Sequence, residues 1–175
     1  MVYIIVEGQT DKALIKNILS DKTEKTDFKF TGLQGMGSVK STLEKLNPHD
    51  LSQNKYFAIV DADASFESRN TEMTELAQSD SVDFYIFPNH KDNGDLETLL
   101  LSHIEEDNKI IKCFDEYKTC VDETVEKEID NKAKLYAYTT LEHNQRPEEY
   151  IKDLTIGTEF DDLKQKLQTL FQGTE

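Results

Sequence analysis

Six carboxylates fall where ordinary surface charge is hard to justify. Glu7 follows directly on the unbroken apolar run Val2-Tyr3-Ile4-Ile5-Val6, and Asp11 comes one helical turn further on. Asp61 and Asp63 follow Tyr56-Phe57-Ala58-Ile59-Val60. Their alternation would put both side chains on one side of an extended chain. Asp95 and Glu97 come after Phe84-Tyr85-Ile86-Phe87 and the loop from Pro88 to Gly94. Carboxylates brought within a few ångström of one another repel and raise one another's pKa, unless a cation sits among them. Oxygen-only ligands select hard cations, Mg²⁺ first, with Mn²⁺ and Ca²⁺ as substitutes. Two of the acids also have helix-terminal uses: Asp11 suits the positive end of a helix dipole. Asp95 suits an N-cap, with Glu97 in the first turn after it.

For these acids to meet, the chain must fold as alternating strands and helices. Strand runs at 2–6, 56–60 and 84–87 are apolar on both faces, and a second short strand is expected at 28–31. Helical spacing recurs between them in Leu14, Ile15, Ile18 and Leu19, in Val39, Leu43 and Leu46, in Met73, Leu76 and Ala77, and in Leu96, Leu99, Leu100 and Ile104. That alternation predicts an α/β fold with a parallel four-stranded sheet flanked by helices. If the strands are ordered 2-1-3-4, the ends of the first, third and fourth are neighbours, and ligand sites of open parallel sheets lie at such ends. Residues 1–105 read as this α/β unit. Residues 106–175 read as an acidic helical extension packed on it, with helices expected near 107–118, 121–137, 147–155 and 159–171.

Charge narrows the partners. The chain has 35 acidic and 20 basic residues, a formal charge of −15, and only Arg69 and Arg146 as arginines. A broad basic face for nucleic acid is not expected from that balance. A bound divalent ion would supply the missing positive charge, so an acidic protein can still act on a polyanion. At 175 residues the chain has room for one real core but is too short for a multi-domain polymerase, topoisomerase or primase. No apolar run is long enough to span a membrane, and Val2–Val6 is too short for a signal-peptide core. Cys113 and Cys120 lack further soft ligands nearby and read as two reduced thiols of a cytoplasmic protein.

Taken in order, these motifs resemble the TOPRIM domain, the metal-binding fold of topoisomerases, bacterial primases, overcoming-lysogenisation-defect (OLD) nucleases and a small ribosomal RNA maturase. That family carries a glutamate after its first strand and an Asp-x-Asp after its third, matched here by Glu7 and by Asp61-Ala62-Asp63. The Glu-Gly-x-x-Asp form, which brings in Asp11, is most similar to OLD-type nucleases. The stretch from Phe87 to Glu97 resembles small standalone TOPRIM-like proteins of unknown function. The resemblance covers about residues 1–105, and Phe66 stands where many members have a glycine. It implies Mg²⁺-assisted phosphoryl transfer, in standalone members phosphodiester hydrolysis of DNA or RNA, in settings such as phage defence. Glu7, Asp61 and Asp63 would then be the catalytic metal ligands, with Asp11, Asp95 and Glu97 completing a second site. With a single ion, Glu7 could instead act as general acid or base. The ATPase fused to OLD-type nucleases is missing, so such a partner would be a separate chain. The other class of reading is a catalytically silent TOPRIM-like subunit that binds a protein partner.

Two weaker features concern phosphate. The segment from Gly32 to Thr42 fails the P-loop test, because Ser38-Val39 separates the last glycine from Lys40. Its backbone at Gly35 and Gly37, with Lys40 near, could still hold a phosphate at a helix start; otherwise it is a tight turn. Lys91 and His90 could contact a phosphate or assist proton transfer, or be solvated loop groups.

Overall fold

The β-branched run at the N-terminus has no polar face to offer water, so it needs cover on both sides. The computed structural model, which describes residues 1–20, 28–32, 39–43, 45, 53–80, 82–104, 107–122 and 129–172, provides it. In chain order the elements are β1 (Val2–Val6), α1 (Gln9–Leu19), β2 (Phe28–Gly32), α2 (Val39–Leu43), β3 (Lys55–Asp61), α3 (Phe66–Asp80) and β4 (Val82–Phe87). There follow α4 (Leu96–Ser102), α5 (Lys109–Asp122), α6 (Asn131–His143), α7 (Pro147–Asp153), a 3₁₀ turn (Thr158–Phe160) and α8 (Asp161–Gln172). The sheet is wholly parallel, in the order β2-β1-β3-β4. Val6 pairs with Ile59, and Asp61 with Phe87.

Alternation along each strand divides the core into two layers. On one face Val2, Ile4, Val6, Phe57, Ile59, Tyr85 and Phe87 pack with Leu14 and Ile15 of α1 and Leu96 and Leu100 of α4. On the other, Ile5, Tyr56, Ala58, Val60 and Ile86 meet Val39 and Leu43 of α2 and Met73 and Leu76 of α3. Each fully buried side chain of this kind contributes on the order of 2 kcal/mol.

The change of composition near residue 105 is not a break in the core. Leu135, Ile151, Phe160, Leu163, Leu167 and Leu170, all from the later helices, belong to the same cluster as the first face of the sheet. Asn17 of α1 donates from Nδ2 to the carbonyls of Ile151 (2.7 Å) and Leu154 (2.8 Å), closing the end of α7 against α1. The helix expected over 121–137 is displaced: Asp122 ends α5, and α6 runs from Asn131 to His143. Its start is fixed by Asp130, whose carboxylate accepts the Ala133 N–H at 2.9 Å, and its end by Asn144 in the left-handed region (φ 53°). An apolar spacing continued by Val121, Val125 and Ile129 hid that boundary. Among the described residues, no helix is long and apolar enough to cross a membrane.

Candidate functional site

The order β2-β1-β3-β4 reverses direction between β1 and β3, and the acids after those strands sit at that crevice. Asp61 ends β3 on the face shared with Phe57, Ile59 and Phe87, and is 5% exposed. Its Oδ1 accepts the Leu96 N–H at the start of α4, at 3.2 Å. Burial pushes its carboxyl up to about 8, aided by the charges of Asp11, Glu7 and Glu97, and the Leu96 N–H offsets only part of this. Four acids from β1, α1, β3 and α4 thus share one electrostatic environment.

The others show the same strain. Asp11, the third residue of α1, is buried and accepts the Gly8 N–H at 2.7 Å. It therefore caps its helix and faces the cluster at once. Its pKa is raised by burial, against the Gly8 N–H and Lys132. Glu7 is half-buried, and burial raises it too; Arg69 opposes this, while Asp11 and Asp63 add to it. Glu97, 5% exposed, is pushed to about 7 by burial, with its own N–H and Lys132 in opposition.

Asp63 and Asp95 stand differently. The extended chain expected through Asp61-Ala62-Asp63 is broken by Asp63 itself, which adopts φ 51°. Asp63 N–H and carbonyl each bond to Gly94 at 2.8 Å, an isolated antiparallel bridge between the loops after β3 and β4. The Asp63 side chain is 62% exposed and pairs with Arg69, while Asp61 is buried, so the two do not line one side of a strand. Asp95 is the N-cap of α4, with Oδ1 accepting the Thr98 N–H at 2.6 Å. Gly94 is required where it stands: its φ is 127°, and a Cβ there would meet Thr98 at 3.0–3.1 Å.

Two cations reach the cluster that the sequence reading did not single out. Arg69 on α3 donates from Nε to the Asp61 carbonyl (2.9 Å), from Nη2 to Asp63 (3.2 Å) and from Nη1 to Glu72 (3.0 Å). Its rarity in the sequence and its position in the first turn after Asp61-Ala62-Asp63 were the available signal. Lys132 has none: it belongs to α6, which Asn131 Nδ2 ties to Thr98 Oγ1 at 3.0 Å. Burial lowers its pKa, but Glu97, Asp61, Asp11 and Asp95 outweigh that and hold it above its ordinary value.

The His90 ring stacks on Tyr85, and its Nδ1 accepts the Ile86 N–H at 3.1 Å; burial, then Lys166, keep it neutral by lowering its pKa. The ring is thus packed against the end of β4. Lys91 is exposed. Gly35, Gly37 and the Lys40 side chain lie outside the described residues. Cys113 and Cys120 are exposed on α5 without a disulfide.

The donor set fits a hard divalent ion in chemistry: all oxygen, partly desolvated, and short of positive charge. In distance it fits less well, since among the described residues no three acids stand close enough together to hold one ion as they are. No curated protein and no solved structure matches the chain. One family pattern does, over residues 1–172, and so across the α/β unit and the later helices alike. The chain belongs to the family described as Protein of unknown function (DUF3226).

Proposed function

We propose that this is a Mg²⁺- or Mn²⁺-dependent phosphodiester hydrolase acting on DNA or RNA, built on a TOPRIM-like α/β unit. The observation that carries the reading is Asp61: a carboxyl buried to 5% exposure at the end of β3, at the switch point of the sheet, with Asp11, Glu7 and Glu97 raising its pKa. A cluster of that kind is relieved by a divalent cation and is otherwise hard to justify. Glu7, Asp61 and Asp63 would hold the catalytic ion, with Asp11, Asp95 and Glu97 available for a second. The bound ion would polarise the phosphoryl oxygens and lower the pKa of water.

The remaining work falls to the chain. Leu96 N–H orients one oxygen of Asp61, and Gly8 N–H orients Asp11. Lys132, exposed at the start of α6 and coupled to the same acids, would meet a substrate phosphate from the solvent side. Glu7 would accept the proton of the attacking water if one ion alone is bound.

The test is cleavage of plasmid and single-stranded substrates with Mg²⁺ or Mn²⁺. Glu7→Ala and Asp61→Ala are expected to lose cleavage while keeping the wild-type circular dichroism spectrum. Equal activity in variants and wild type refutes the assignment.

A silent subunit that binds a protein partner remains the second reading, and one observation favours it. Ile110, Cys113, Phe114, Tyr117, Ala137 and Leu141 line an apolar groove of about 340 Å³ between α5 and α6, with Tyr117 and Leu141 exposed. Calorimetric Mn²⁺ binding without cleavage of any nucleic acid would support that reading against the first.

A further inference from the structure

The contacts of Arg69 carry an inference about how metal entry is controlled, and it rests on the proposed metal site. One guanidinium makes three hydrogen bonds around the Asp61-Ala62-Asp63 turn: to a backbone carbonyl of the turn, to Asp63, and to Glu72 on its own helix. The charge of Glu7, across the crevice on the β1 end, faces the same guanidinium. Asp63 cannot leave by moving its backbone, because its N–H and carbonyl are both bonded to Gly94. Its carboxylate, 62% exposed, has room to turn. With that carboxylate held by Arg69 and largely in solvent, no three acids of the described residues stand in ligand range of one point.

We propose that Arg69 is the built-in counter-cation of this site, and that a divalent ion binds by exchanging with the Arg69–Asp63 contact. The exchange needs one side-chain rotation at Asp63 and none of the backbone. Glu72 then retains the guanidinium beside the site, where it can face a phosphate. Arg69 is in this sense a positioning residue that sets metal affinity through Asp63.

The experiment is Mn²⁺ titration of the full, metal-stripped chain by calorimetry, without nucleic acid. Removing the competing charge in Arg69→Gln is expected to tighten Mn²⁺ binding about tenfold, the effect of one screened unit charge near an ion. Arg69→Lys, which keeps the charge, is expected to stay within about twofold of wild type on the same basis. In an Asp63→Asn background the gain from Arg69→Gln should fall below about twofold, because the pair being exchanged is already gone. Wild-type binding with no tightening in Arg69→Gln overturns the exchange and leaves the metal site standing. A gain undiminished by Asp63→Asn overturns it as well, since the effect is then one of general field. Absence of Mn²⁺ binding in every chain removes the metal site and the exchange together. Should Arg69→Gln fail to fold, Glu72→Gln carries the test: with Arg69 left wholly to Asp63 and Glu7, binding should weaken about threefold, and unchanged affinity refutes the proposal.

Discussion

Replacing Asp61 by asparagine should stabilise the metal-free protein at neutral pH, even though Asp61 is a proposed ligand. The carboxyl titrates near 8 in the folded chain, against 3.8 as its ordinary value. Below pH 4 both folded and unfolded chains hold the proton, and the group has no effect on stability. As pH rises from about 4 to about 8, the unfolded chain releases its proton while the folded chain keeps it, so stability falls; above 8 both are ionised and the loss is complete. At pH 7 the difference amounts to about 4 kcal/mol, at about 1.4 kcal/mol per pH unit. Asn has no proton to hold, keeps an oxygen for the Leu96 N–H, and brings an amide toward the acids of Glu7, Asp11 and Glu97. Because those acids share the repulsion, and Arg69 and Lys132 already offset part of it, we expect about 2–4 kcal/mol at pH 7 and about zero at pH 4. Urea unfolding in EDTA at the two pH values measures it. An Asp61→Asn chain no more stable than wild type at pH 7 would show that Asp61 is not under this strain. With Mg²⁺ added, wild type should gain stability and the variant should gain less.

Other perturbations separate parts of the architecture. Gly94→Ala should cost about 2 kcal/mol through positive-φ strain and the Thr98 contact, read as a fall in the urea midpoint. Asn17→Ala removes the side-chain donor to the Ile151 and Leu154 carbonyls, while Ile151 keeps the Leu154 N–H at 3.3 Å; it should cost about 1–2 kcal/mol in the same assay, with Mn²⁺ affinity unchanged. Metal-free Lys132→Met should lose less stability at pH 5 than at pH 8, because Asp61 and Glu97, raised to about 8 and about 7, hold their protons at pH 5; a loss of the same size at both would point to packing instead.

The frame was legible because its signals are local. Strands apolar on both faces, such as Val2–Val6 and Tyr56–Val60, have no other use than a covered parallel sheet, and the acids that end them mark the rim. What escaped depends on backbone conformation or on distant chain. Nothing in Asp61-Ala62-Asp63 announces that Asp63 adopts positive φ, which turns a pair expected on one side of the chain into one buried acid and one exposed acid. Asp95 was readable only as cap or ligand, because both uses call for a short acid at a helix start. Lys132 enters through the packing of α6 on α4, and no spacing rule links it to Glu97. His90 read as a phosphate contact or a solvated loop group, because its aromatic neighbours, Phe66, Phe84 and Tyr85, come together around it only after folding.

The six leucine, isoleucine and phenylalanine side chains that the later helices set against the sheet mean that this acidic stretch is a wall, not a tail. Cutting the chain near residue 105 would leave that face of the sheet with only its α1 and α4 cover and take away those six apolar side chains, along with the ammonium group coupled by charge to the carboxylates. A shortened chain of that kind should come out insoluble, and moving the rim residues into another protein would require a replacement for that wall.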